Sequence, residues 1–257
     1  FGSRQAQDVE EGKRFHCMVS SGPDSKRQKV MPELKFYYFD IRGKGEPIRL
    51  AIAYSGLDFE DIRLSRDKFM EMKTSGELKF GQVPCLAVTE GGVSNMLVQT
   101  NAILRYIGKL AGPTCSLYPS DPIKAAQVDA IADQVGDMMM PALCATYQDR
   151  YGYAALGGAD GEVTKQVEAD INAGWMPKQL QFLETLLTES KTGWLAGTEG
   201  PTYADFHMSM QLDNLRTNKV IRGEVLLPQY PKIEEFIKKV YDLPAVKAWY
   251  EKHPPAA

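Results

Sequence analysis

The chain has 257 residues, 44% of them hydrophobic and 25% charged, which suits a globular protein of one large domain or two modest ones. Thirty basic residues stand against 33 acidic ones, and residues 1–30 hold six and four of these, leaving 24 against 29 over the remainder. That balance offers no electrostatic attraction to a phosphate backbone, so nucleic acid is disfavoured as a partner. Cys17, Cys85, Cys115 and Cys144 form no CxxC pair, and His16, His207 and His253 are equally scattered. A zinc site, a redox dithiol and a disulfide scaffold are therefore poorly supported, and the cysteines read as small, mostly buried residues of a reducing compartment.

No apolar stretch approaches the roughly 20 residues of a membrane helix. Residues 1–30 are polar and of mixed charge, without a signal-peptide core or the acid-poor pattern of a transit peptide. They read as a disordered leader or a remnant of expression, with Met31-Pro32 as a candidate natural beginning. The expected setting is cytoplasmic, away from membranes.

Leu34 to Phe39 is short, aromatic and bounded by Arg42-Gly43-Lys44-Gly45, which predicts a strand. Glu46-Pro47 then opens a helix that ends before Gly56, with apolar residues on two faces, as expected of a crossover helix covered on more than one side. Phe59–Leu64 completes a βαβ unit with parallel strands. A polar helix is expected around Asp67–Thr74. Cys85–Val88 and Ser94–Val98 flank Gly91-Gly92 as a hairpin. A third helix runs from Thr100 to Ala111 and closes at Gly112. Residues 31–112 thus form a βαβαββα unit.

The proline-rich segment 113–121 reads as a linker, and residues 122–257 as all-helical. Asp121-Pro122 opens a helix expected to run to about Arg150. Val167, Ile171 and Trp175 begin an apolar stripe that continues through Met176, Leu180, Leu183 and Leu187 with one offset, predicting a kink at Pro177. Thr202 to Asp205 is a capping-box candidate ahead of Ala204, Met208, Leu212 and Leu215. Ile233, Phe236, Ile237 and Val240 form a last stripe. Asp129, Asp133 and Asp137, each four apart, make a like-charged row that suggests an external cation or a solvated face. Met138 to Met140 read as core or interface filler.

Four segments carry a family resemblance. Tyr38-Phe39-Asp40-Ile41-Arg42-Gly43-Lys44-Gly45-Glu46-Pro47-Ile48-Arg49 resembles the first strand and helix of tyrosine-type glutathione S-transferases. Gln82-Val83-Pro84-Cys85-Leu86 is similar to their cis-proline turn, and Gln99 to Tyr106 to the start of their glutathione-binding helix. Tyr203-Ala204-Asp205-Phe206 matches the capped core helix of their second domain. The resemblance spans about residues 33–254 in the right order and, within the sigma, mu, pi and alpha group, is most like sigma.

The resemblance implies a thioredoxin-like α/β domain followed by an all-helical domain, and a homodimer that binds glutathione as co-substrate without a further cofactor. Tyr38 would donate a hydrogen bond to the glutathione sulfur. A free thiol ionises near pH 8.5, and lowering that by about two units requires roughly 2.7 kcal/mol, within reach of one charge-assisted hydrogen bond. The plain alternative for Tyr38, at the solvent end of its strand, is an aromatic packed in the core; Tyr37 should face the other way. Lys44 stands where sigma and alpha types usually carry arginine, keeping the charge without the planar fork.

The resemblance further implies that the Val83 backbone beside a cis Pro84, with Gln82, would pair with the cysteinyl unit of glutathione. Gln99 and Thr100, at a helix start, would hold the γ-glutamyl carboxylate, unless they serve only as a cap. Lys73 would meet the glycine carboxylate, with Phe69 where the family often has tryptophan. Asp137 would reach across the dimer to the partner's glutathione amine. Gly136 replaces a carboxylate of metal-binding sigma-type enzymes, so no metal is expected. The expected reaction is attack of the thiolate on a small hydrophobic electrophile, seated near residues 138–150 and the C-terminal segment. Two other readings stand beside it: a glutathione-dependent isomerase or peroxidase of the prostaglandin D synthase kind, and a non-catalytic structural protein of this fold.

Overall fold

The computed structural model describes residues 31–254; the leader assigned to 1–30, and Cys17 with it, lie outside the described residues. Strands β1 (Glu33–Phe39), β2 (Glu60–Leu64), β3 (Cys85–Glu90) and β4 (Val93–Val98) alternate with helices α1 (Glu46–Ser55), α2 (Arg66–Thr74) and α3 (Thr100–Ala111). The rest is helical: α4 (Pro122–Thr146), α5 (Gln148–Tyr151), α6 (Glu162–Asp170), α7 (Met176–Glu189), α8 (Tyr203–Asn214), α9 (Gly223–Leu226), α10 (Pro231–Tyr241) and α11 (Pro244–Lys252). This is a thioredoxin-like α/β domain followed by an all-helical one.

The sheet order is β2-β1-β3-β4, with β1 parallel to β2 and antiparallel to β3. The parallel pair needs a crossover, and α1 supplies it. Gly91 and Gly92, with φ of 57° and 81°, form the two-residue turn of the β3–β4 hairpin, a conformation that suits glycine. Along β1 the side chains alternate. Leu34, Phe36 and Tyr38 enter the main core, while Tyr37 and Phe39 pack with Leu64, Met72, Leu78 and Cys85 on the other face. Cys85 and Cys115 are buried and Cys144 half-buried.

Helix α1 ends on Gly56 in the left-handed conformation (φ 70°), and its Ile48, Leu50, Ala51 and Ile52 are wholly buried against α3, α8 and α11. Asp121 caps α4 by accepting the Lys124 N–H at 2.9 Å. That helix stops at Thr146 rather than running to Arg150; the chain turns at Tyr147 and adds one further turn, α5. Around Pro177, where a kink is expected, the helix changes type. A π-helical turn over Ile171–Trp175 absorbs the one-residue offset in the apolar stripe, and Pro177 follows it at the start of α7.

Helix α8 is buried nearly all round instead of along the single predicted stripe: Tyr203, Ala204, Phe206, Met208, Met210 and Leu212 have no exposed surface. Burial pushes the Asp205 carboxyl upward, opposed by hydrogen bonds from the Leu195 N–H, the Thr202 N–H and the Thr202 hydroxyl. Those bonds fix the start of α8. Among the described residues no helix is long and apolar enough to cross a membrane.

Candidate active site

Tyr38 is not at an open strand tip. Its ring is buried, 7% exposed, because the turn after β1 folds directly over it. A Cβ at Gly45 would lie 2.3 Å from Tyr38 Cδ1, and one at Gly43, where φ is +38°, 2.7 Å from the hydroxyl. Only glycine fits both places. The Tyr38 hydroxyl accepts the Lys44 N–H at 3.0 Å and donates to no protein group among the described residues. Burial raises the phenol's pKa above its ordinary value, against a smaller lowering from that N–H and from Arg49, so the phenol keeps its proton at neutral pH.

The turn is pinned from two sides. Arg49, 1% exposed, donates to the carbonyls of Ile41 (2.9 Å) and Phe39 (3.1 Å) and pairs with Asp61 and Glu46. Arg42 reaches the helical half, pairing with Asp213 at 3.0 Å and lying over the rings of Tyr241 and Tyr250. Neither arginine was assigned a role from sequence. Arg49 was in view as part of the β1–α1 motif, but its partners are contacts that spacing does not display.

A cavity of about 280 Å³ opens beside this turn, between the two halves. One wall is Lys44, Phe80, Gln82, Val83, Pro84, Val98 and Gln99 to Asn101; the other is Asp133, Val135, Gly136, Met139 and Leu143 of α4 with His207 and Gln211 of α8. Lys44, Gln82, Val83, Pro84, Gln99 and Thr100 therefore line one space. Tyr38 is not among the lining residues; its hydroxyl is joined to the wall by the Lys44 N–H. The Val83–Pro84 peptide is cis, as the turn motif implied. Gln99 is the one non-glycine residue with positive φ (75°) among those described, a costly backbone shape of the kind that clusters at functional sites. Thr100 follows it at the α3 N-terminus, where the first N–H groups have no helical acceptor.

Besides Tyr38, three expected residues lie outside the lining. Phe69 does not line the cavity: its ring packs edge-on against Phe39 at 5.2 Å in the smaller core. Lys73 is exposed, its stem lying along Gly81, next to the cavity residue Gln82. Asp137 is exposed on α4 and outside the cavity. The aspartate row has an internal cation in place of an external one. Arg105 holds Asp129 at 2.8 Å and Asp133 at 3.1 Å, while Tyr203 and Tyr118 donate to Asp129. Burial alone would raise the Asp129 carboxyl, but these partners hold it below the usual range.

Burial, then the positive charge of Arg150, lowers the Lys44 ammonium's pKa from its ordinary value. Arg150, from α5, donates to Gln82 Oε1 at 2.6 Å across the cavity mouth. No residue beyond Gln211 lines the walls, so α11 does not contribute to them. Sequence reasoning missed His207 and Gln211; the available signal was two polar residues, four apart, inside an otherwise apolar helix.

Residues 34–109 match the family "Glutathione S-transferase, N-terminal domain" and residues 152–253 the family "Glutathione S-transferase, C-terminal domain". The chain belongs to the glutathione S-transferases. It is 32% identical to Glutathione S-transferase 1 of Ascaris suum, covering 87% of this chain and 98% of that one. It is 31% identical to the hematopoietic prostaglandin D synthase of Gallus gallus, covering 88% and 100%. Among solved structures, the transferase superposes on the monomeric Na-GST-3 of Necator americanus with a TM-score of 0.66 at 28% identity, covering 87% and 98%.

Proposed function

We propose that this transferase is a tyrosine-type enzyme, nearest the sigma class, that ionises bound glutathione through Tyr38 and directs the thiolate at a small hydrophobic electrophile. The observation that carries the reading is the Tyr38 hydroxyl: protonated, buried, accepting one backbone N–H, with its own hydrogen uncommitted. A donor of this kind stabilises the thiolate more than the thiol, which lowers the thiol pKa. Lys44 adds positive charge at the same place.

The remaining assignments follow the cavity. Val83 offers backbone groups to the cysteinyl unit, supported by Gln82 and Pro84. Gln99 and Thr100 take the γ-glutamyl carboxylate at the uncapped start of α3. Lys73, lying along Gly81, serves the glycine end, and Phe69 supports that edge through Phe39. Phe80, an exposed part of the cavity wall, and Asp137, exposed outside it, face a second copy in a cytoplasmic homodimer, Asp137 toward the partner's glutathione. The electrophile sits against Met139 and Leu143.

Ultraviolet difference titration of bound glutathione tests this reading. The native protein should show thiolate well below pH 8.5, and Tyr38→Phe should return the thiol to its free value and cut turnover about 100-fold. An unshifted pKa in the native protein would sink it. A second reading, a glutathione-dependent isomerase or peroxidase of the prostaglandin D synthase kind, is supported by the 31% identity to the avian prostaglandin D synthase and shares the same activation step. Product analysis with a substrate of that kind of enzyme separates the two.

A further inference from the structure

Two positive charges stand close at the edge of the cavity with no carboxylate between them. Arg150, on the single turn α5, donates through Nη2 to the Gln82 side-chain carbonyl at 2.6 Å. Its charge also reaches Lys44, whose ammonium is lowered by burial first and by Arg150 second. Among the described residues neither cation pairs with an acid. Asp133, the one acidic residue in the cavity lining, is already held by Arg105 at 3.1 Å and by Asn101 at 2.8 Å. Like charges left together repel, and an anion brought between them is attracted by both.

Arg150 is not itself part of the cavity lining. It stands on the rim between the cavity and a second hollow of about 340 Å³, which residues 146–150 form with Ala154, Gly158 and Ala159. The side chain is exposed, with the Tyr151 ring 5.9 Å from its guanidinium carbon. A guanidinium carries five N–H donors in a planar fork, and the bond to Gln82 occupies one of them. The rest of the fork can take a carboxylate while the link to Gln82 persists.

We propose that Arg150 binds the glycyl carboxylate of glutathione, so that the helical half of the same chain closes over the co-substrate that the first half cradles. The inference rests on the reading of the cavity as a glutathione site. On that reading the thiolate lies at Tyr38 and Lys44 and the γ-glutamyl carboxylate at Gln99 and Thr100, which leaves the glycyl carboxylate for the remaining cations. Gln82 follows Gly81, along which the stem of Lys73 lies. Arg150 and Lys73 therefore approach one two-residue stretch from the two halves of the chain. The arginine supplies the planar fork that matches a carboxylate, and the lysine a point charge. This contact is remote from the sulfur and equal in the ground and transition states, so it serves KM for glutathione and leaves kcat alone.

Calorimetry with S-methylglutathione and its glycinamide analogue isolates the contact. The blocked sulfur cannot ionise, and the amide removes one charge at nearly constant shape. The native protein should bind the acid about tenfold more tightly than the amide. Arg150→Gln should cut that preference to about threefold or less, the remainder belonging to Lys73, and Arg150→Lys should fall between. In turnover, Arg150→Gln should raise KM for glutathione several-fold with kcat within about twofold of native. Equal binding of acid and amide by the native protein, or a preference that survives Arg150→Gln, overturns the proposal while leaving the glutathione site intact. Equal weakening of both ligands in Arg150→Gln also overturns it, since Arg150 would then serve only to hold Gln82. Binding of neither ligand by the native protein overturns the glutathione reading itself, and this proposal with it.

Discussion

The two walls of the cavity are finished to different degrees. On the first-domain side several polar groups are engaged, since Tyr38 accepts the Lys44 N–H, Arg49 donates to the turn carbonyls and Gln82 accepts from Arg150, while Asn101 Oδ1 is buried without a partner. On the α8 side His207 Nδ1 and Gln211 Nε2 are buried and unengaged. The contrast separates a turn held in place by its own hydrogen bonds from a buried helix that leaves two polar atoms without partners, at the cost such groups carry.

The contrast breaks most severely at Arg49. Replacing it by leucine leaves Glu46 buried without its cation and two turn carbonyls unpaired. A loss of about 3–5 kcal/mol is expected, read as a lower denaturant midpoint. Retention of native stability would show that the turn stands without its buried pin. Gly45→Ala is next. Its methyl would overlap the Tyr38 ring, so either ring or turn must shift, at a cost of about 1–3 kcal/mol. Bound thiolate absorbance should fall nearly as far as in Tyr38→Phe, and an unchanged signal would separate the glycine from the tyrosine's placement.

Gln99→Gly acts on a smaller scale and in two directions. Glycine adopts the positive φ freely, so the protein should gain up to about 1 kcal/mol, while glutathione binds several-fold more weakly for want of the side chain. Thermal unfolding and calorimetry on one sample check both signs. The smallest effect needs acid. The folded-state pKa of His207, about 4, lies below its unfolded value, so the unfolded chain binds more protons between these limits. Stability should therefore decline as pH falls from about 6.5 toward 4, and less steeply in His207→Phe than in the native chain. Urea unfolding at pH 7 and pH 5 measures the difference.

Much of the first domain was legible because its signals are local. The alternation in β1, the Pro47 and Gly56 punctuation of α1, and the Gly91-Gly92 turn each lie within a few residues. Of the residues the motifs single out, Lys44, Gln82, Val83, Pro84, Gln99 and Thr100 share one cavity wall, where motif and chain order coincide. What stayed hidden depends on distant partners. The row of aspartates reads as a request for an outside cation until Arg105 is seen beside it. The stripe offset at Pro177 reads as a kink, since a π turn and a kink leave the same mark on a periodicity. Part of the second-domain wall comes from α8, a helix buried nearly all round, where His207 and Gln211 are read only once neighbours on every side are known.

The main core runs without a break from Leu34 and Phe36 of the sheet through α1 to Phe206, Phe236 and Trp249. Helix α1 has no solvent side to fall back on, because α8 and α11 cover what α3 does not. A proteolytic cut in the segment 113–121 would therefore yield two pieces with complementary raw faces, which should stay associated or precipitate and should not drift apart as independent globules. The molecule carries two architectural signatures and a single cooperative interior.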